Sequence, residues 1–283
     1  MSLTFNSSTK NNGLIIFDAL ATGEMQTGRR LNEDVLDATQ ALGRNGYCTY
    51  YKITSKQMLV SALQLTLIEC GVGVLFPILH FECHGDREKG IYLHACDEYV
   101  GWPELIEHIG AINKACGNNA AVVLATCYGF EISKHVAFMK PCPFNFVIAP
   151  QNEVNAGQLR DLLPGFYSRI ATSGDLGSGV RDLDPALEFF HCGKWFYTCL
   201  GSYLARMNLK ERQRMAETMV TARRGKVGEL TTEGIRATRA NAKRVMADLE
   251  GFYLEAATTF FHGAVPVTYE DFAASVKRLK RRI

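Results

Sequence analysis

The first half of the chain alternates short apolar runs with segments of helical spacing. Gly13 to Leu20 (GLIIFDAL) is apolar almost throughout and predicts a buried strand. Glu33 to Leu42 carries Val35, Ala38 and Leu42 on one side and stops before Gly43, which predicts a helix. Tyr47 to Ile53 is aromatic and β-prone, a second strand. Ser55 can cap a helix reaching Glu69, where Cys70-Gly71 ends it. Val72 to His84 predicts a third strand, with Pro77 at its entry. Ile91 to Val100 reads as a short strand or hairpin arm. Pro103 suits the first turn of a helix lined by Leu105, Ile106, Ile109 and Ile112 and closed by Gly117. Ala120 to Thr126 and Asn145 to Ala149 are further strands, with a short helix from Glu131 to Met139 between them.

Strands alternating with helices imply crossover units, hence an α/β fold with a mostly parallel sheet covered by helices on both faces. From Leu159 the pattern turns largely helical: Leu159 to Thr172, Pro185 to His191, Trp195 to Met215, Glu233 to Phe261 and Tyr269 to Arg282. Ser173 to Arg181, rich in Gly, Ser and Asp, reads as a flexible loop. The expected organisation is one α/β domain over 1–190 and a helical C-terminal extension over 191–283 packed on it.

Composition narrows the class. The 283 residues, 47% hydrophobic and 21% charged, suit a soluble globular chain with a substantial core. No apolar run nears the roughly 18 residues of a membrane span, and Met1 to Asn12 is polar, without a secretory signal. The nine cysteines, an odd number without repeated spacing, then read as reduced thiols, and the expected location is cytoplasmic. From Arg206 onward there are 16 Lys/Arg against 9 Asp/Glu. This basic region can meet a regulatory protein partner; a solvated helical face is the plainer reading, and nucleic acid is not the expected partner. The terminal Lys277 to Arg282 run equally suits the end of a helix dipole.

The chemistry gathers at two strand ends. His80-Phe81-Glu82-Cys83-His84-Gly85-Asp86 closes one apolar run, and Leu124-Ala125-Thr126-Cys127-Tyr128-Gly129 closes another. In parallel sheets, sites lie beyond the carboxyl ends of the strands, where His84, Cys127 and Asp18 all fall. A cysteine nucleophile needs a base to form thiolate and an acid for the leaving amine, and one imidazole serves both steps. Acyl transfer also needs N–H donors aimed at the oxyanion; Gly85, with the φ freedom of glycine, and Cys127 supply the candidate amides. Strand parity puts His80, Glu82 and His84 on one side and Cys83 on the other. His80, four positions deeper than His84, reads as a packed histidine with one internal hydrogen bond.

The pattern HFECHGD…LATCYG resembles the CHAT group of caspase-like cysteine peptidases, whose apolar strands end in H-F-x-C-H-G and in a small-x-Cys-x-Gly turn. In caspases the histidine lies about 50 residues before the cysteine; here the two are 43 apart. Val147 to Val154, Gly165-Phe166-Tyr167 and Ala186-Leu187 also resemble the family's strand–helix sequel, so the likeness spans Gly13 to Phe190. It implies a caspase-like endopeptidase cleaving a protein substrate through a His84–Cys127 dyad, in a regulated pathway such as defence or cell death, with no third carboxylate required and no metal or organic cofactor. Ala125 stands where caspases carry glutamine and metacaspases aspartate to shape the S1 pocket. Asp18 and Glu153 are then the candidates for selecting a basic residue before the scissile bond.

Three other readings compete. A catalytically inactive version of the fold can serve as a binding module, and a Cys-His amidase can act on a small substrate. Zinc spacing is suggested by His80-x-x-Cys83, His84 and His94-x-Cys96, but Cys83 and His84 should face opposite ways.

Overall fold

The computed structural model describes residues 10–173, 179–180, 183–206, 209–227 and 231–280. Most of the expected 173–181 loop, most of the N-terminal segment and the last residues of the basic tail therefore lie outside the described residues. The chain divides into two compact units, Asn6–Gly193 and Lys194–Ile283.

Among the described residues the first unit holds nine strands: β1 (Gly13–Asp18), β2 (Cys48–Lys52), β3 (Pro77–Glu82), β4 (His84–Asp86), β5 (Gly90–Leu93), β6 (Glu98–Val100), β7 (Ala121–Ala125), β8 (Phe146–Ala149) and β9 (Glu188–His191). Helices join them: α1 (Thr27–Gln40), α2 (Lys56–Gly71), α3 (Trp102–Ala115) and α4 (Ala156–Ser173). Six strands make one sheet in the order β2-β1-β3-β7-β8-β9, parallel except for β9, which runs antiparallel to β8. The α/β class with a mostly parallel sheet is thus as expected. β1, β3, β7 and β8 are buried along their whole lengths; only near-continuous apolar sequence can be covered by helices on both faces.

Alternate residues sort the two layers. Leu14, Ile16, Ile78, Val123, Ala125 and Ile148 pack with Leu31 and Val35 of α1 and Leu159, Leu163 and Tyr167 of α4. The opposite face carries Ile15, Phe17, Leu79, Phe81, Val122 and Leu124, all buried. α2 is capped by the Ser55 hydroxyl, which accepts from the Met58 amide at 3.1 Å. Pro103 sits in the first turn of α3.

Several elements depart from the sequence pattern. The third strand does not run to His84: it stops at Glu82, the chain bends at Cys83, and His84 opens β4 of a separate three-stranded antiparallel sheet, β4-β5-β6. The helix expected over Pro185 to His191 is instead β9, because the Phe189-Phe190 pair completes the sheet against Val147 and Ile148. The segment after Gly129 is a 3-10 turn, Gly129–His135. α1 begins at Thr27, six residues ahead of the expected start at Glu33.

The second unit is helical: α5 (Cys192–Arg206, starting at the boundary), α6 (Leu209–Val227), α7 (Thr232–Ala247), α8 (Leu249–Phe260) and α9 (Tyr269–Lys280). The single helix expected over Glu233 to Phe261 is broken at Asp248, whose carboxylate caps α8 by accepting from the Gly251 amide at 2.8 Å. Stacked rings fill this unit: Phe196 on Phe260 with centroids 4.7 Å apart, and Tyr253 on Phe272 at 4.8 Å. Arg239 of α7 clasps Glu217 of α6 with two 2.7 Å bonds. No described helix is long and apolar enough to cross a membrane.

Candidate active site

The strand order reverses between β1 and β3, since β1 is followed by β2 on one side and flanked by β3 on the other. Crevices at such switch points are the usual ligand sites of open α/β sheets. Asp18, Glu82 and Ala125 stand side by side in β1, β3 and β7. Two residues beyond the last positions of β3 and β7 stand His84, which opens β4, and Cys127.

The two ends meet through their backbones. A Cβ placed on Gly85 would lie 2.2 Å from the Cys127 carbonyl oxygen and 2.3 Å from the Thr126 hydroxyl. Glycine is therefore required at 85 by space. The φ freedom expected of it is not used, because Gly85 is not among the residues at positive φ. Behind the cysteine, Tyr128 adopts the left-handed region at φ 57°, a costly choice for a bulky residue. Gly129 lets this turn fold back on β7: a Cβ there would stand 2.9 Å from the Leu124 Cβ. Among the described residues the Cys127 amide has no hydrogen-bond acceptor.

The thiol and the ring are each held by a different partner. The Cys127 sulfur donates toward the Val154 carbonyl at 3.7 Å and accepts from the Val154 amide at 3.5 Å. His84, half exposed, places Nε2 2.7 Å from Glu24 Oε1. His84 and Cys127 make no hydrogen bond to one another among the described residues. Glu24 is the residue that sequence reasoning missed. It lies in the loop after β1, its second oxygen accepting the Ala21 amide at 2.7 Å. Burial opposes its charge, but the Ala21 amide and the His84 ring outweigh that and hold its carboxyl below the usual value near 4.5. The one available signal was its position past a strand's carboxyl end.

Two expected substrate contacts are corrected. Asp18 is fully buried and accepts from the Tyr50 hydroxyl at 2.7 Å, Lys52 Nζ at 3.0 Å and the Leu20 amide at 3.0 Å. Lys52 faces it at the same register of β2 and already neutralises it, so Asp18 is closed to a visiting basic side chain. Ala125 is 4% exposed and packs into the α1/α4 core, because its strand position faces inward. Glu153 is exposed beside the site and accepts the Tyr128 hydroxyl at 2.9 Å. Its hydrogen bond, before burial, raises the Tyr128 phenol above its ordinary value. The Arg87 guanidinium covers the Tyr128 ring at 4.8 Å.

His80 makes two internal hydrogen bonds instead of the one expected: Nδ1 to the Tyr167 hydroxyl at 2.8 Å and Nε2 to Glu82 at 2.9 Å. Thr27 donates to the other Glu82 oxygen at 2.5 Å. Cys83 is buried beside Thr126, and burial drives its thiol far above the normal range. No group of three or more His, Cys, Asp or Glu is gathered as metal ligands among the described residues. No protein-family model and no curated protein matches this sequence.

Proposed function

We propose that this chain is a cysteine peptidase of the caspase-like CHAT type, with Cys127 as nucleophile, His84 as acid and base, and Glu24 as the residue that positions His84. The observation that carries the reading is the backbone contact between Gly85 and Cys127 just beyond the carboxyl ends of neighbouring parallel strands, with the Cys127 amide unclaimed among the described residues.

The chemistry follows. His84 takes the thiol proton, and the Cys127 sulfur attacks the scissile carbonyl carbon. The Cys127 and Gly85 amides hold the oxyanion, a donation worth several kcal/mol per bond in a dry site, on the order of 3 kcal/mol. The amine leaves with the proton returned by His84, and water, deprotonated by the same ring, releases the acid from the thioester. Glu24 on Nε2 leaves Nδ1 to serve the sulfur. Hydrogen bonds of this kind are often long before substrate arrives. A regulated pathway is the setting that the family resemblance suggests.

The separate holding of ring and thiol favours, as a second reading, an inert binding module of the same fold. A thiol-directed peptidyl probe decides between them. The peptidase reading expects labelling at Cys127 that falls at least about tenfold in His84→Ala and disappears in Cys127→Ala. Labelling that ignores His84 favours the inert module. Turnover of small amides with no cleavage of a peptide library would instead make the chain an amidase.

A further inference from the structure

The small sheet that begins at His84 has two unlike faces. Ile91, Leu93 and Val100 are buried on one. On the other, His84, Tyr92 and Tyr99 stand directly across from one another on β4, β5 and β6. Ring centroids step from His84 to Tyr92 over 6.5 Å and from Tyr92 to Tyr99 over 5.0 Å, and His94 stands edge-on to Tyr92 at 6.0 Å. Tyr99 is 39% exposed, and His94 lies open as well. The Tyr92 hydroxyl is tied to Asp97 at 2.7 Å, and Lys89 Nζ lies 5.1 Å from the Tyr99 ring centre. These contacts hold the rings in place before anything arrives. Cross-strand aromatic pairs do stabilise hairpins, but that role does not require the rings to line up with His84.

We propose that the Tyr92–Tyr99 ladder, with His94 at its side, is a substrate platform that takes an aromatic or large apolar side chain close to the scissile bond. The proposal rests on the peptidase reading. The occupant is the substrate polypeptide, because the ladder begins at His84, the ring that the peptidase reading sets beside the scissile bond, and runs from it without interruption across the open face of the sheet. From His84 to Tyr99 the ladder spans at most about 11.5 Å, and an extended chain advances about 3.3 Å per residue. The platform therefore receives a residue two or three positions from the bond. Stacking there is worth up to about a factor of ten.

The test uses the full chain and a peptide library varied at positions flanking the cleaved bond. Wild type is expected to prefer Phe, Tyr, Trp or Leu over Ala at one such position by about tenfold in kcat/KM. Tyr99→Ala should bring that ratio to about one, mainly through KM, while Tyr99→Phe keeps it. A thermal melt of each variant separates lost packing from lost recognition. No apolar preference in wild type, or one unchanged in Tyr99→Ala, overturns the platform. If no peptide is cut and Cys127 fails to label, the peptidase reading falls, and the platform is judged on binding alone. In that case Phe-bearing peptides must bind the Cys127→Ala chain more tightly than their Ala counterparts and lose that advantage in Cys127→Ala/Tyr99→Ala; equal binding overturns it.

Discussion

Adding one methyl group at Gly85 should damage stability and chemistry together. The new Cβ would stand 2.2 Å from the Cys127 carbonyl oxygen and 2.3 Å from the Thr126 hydroxyl. Neither obstacle is the loose end of a flexible side chain: one is backbone and the other a buried threonine. Relief requires β4 and the turn after β7 to part by about 1 Å. Overpacking of this kind costs about 1–3 kcal/mol, and the upper end applies because backbone must move. At about 2–4 °C per kcal/mol for a domain of this size, Gly85→Ala should melt roughly 6–12 °C lower by calorimetry. On the peptidase reading, a 1 Å displacement of the acid–base group from the nucleophile costs about a hundredfold in rate, so probe labelling of Cys127 should slow by about that factor. Gly43→Ala is the control. Gly43 has φ +71° but no atom within 4 Å of the added methyl, so only the left-handed penalty of about 1 kcal/mol applies, and labelling is untouched. If Gly85→Ala melts and labels like wild type, the two strand ends are not in contact and the site collapses as described.

Three further outcomes follow from the same contacts. Iodoacetamide at about pH 8 should modify Cys127, Cys96 and Cys199 ahead of Cys48 and Cys142, whose thiols burial pushes up to about 12, and ahead of Cys83 and Cys192; peptide mapping reads the order, and early modification of Cys83 contradicts its burial. Lys52→Met strands the buried Asp18 carboxylate and should lose about 3 kcal/mol in urea unfolding, much of it recovered in Asp18→Asn/Lys52→Met; an unchanged midpoint refutes the pairing. The Glu24 carboxyl, lowered in the fold, contributes stability above roughly pH 4.5 that is lost as pH falls through its folded value. Because the pair is partly exposed the effect stays below about 1 kcal/mol, and NMR titration should show Glu24 rising toward its ordinary value in His84→Ala.

Much of the sheet was legible because burial on both faces leaves no choice of residue. β7 and β8 announce themselves as unbroken apolar runs, and β1 as one that is broken only at its last residue, Asp18. β9 was hidden for the opposite reason. It is a four-residue edge strand with one neighbour, and Glu188-Phe189-Phe190-His191 has no clear alternation. The break between α7 and α8 has no Gly or Pro at its centre; Asp248 makes it by capping, and a lone Asp within a helical pattern carries little local signal. At the site, the sequence marked the two strand ends but not the bend at Cys83. Whether a chain leaves a parallel sheet at Glu82 or at His84 depends on the partner available beyond, here the Gly90–Leu93 strand, which local sequence does not encode.

The assignment of the orienting carboxylate follows from what the other acids near the switch point are already doing. Asp18 and Glu82 are register neighbours on one face, and two carboxylates so placed repel unless each has its own donors. Asp18 takes Lys52, Tyr50 and the Leu20 amide. Glu82 gives one oxygen to Thr27 and the other to His80, whose second nitrogen meets Tyr167. A ring that donates from Nε2 to Glu82 and accepts at Nδ1 from the Tyr167 hydroxyl satisfies that whole chain. Parity alone would nominate Glu82, two residues before His84, as the natural partner of the exposed imidazole. Its oxygens are spoken for in the core, and the bend at Cys83 carries His84 away from it. The loop after β1 supplies Glu24 instead, so the ring is positioned from the far side of the switch point.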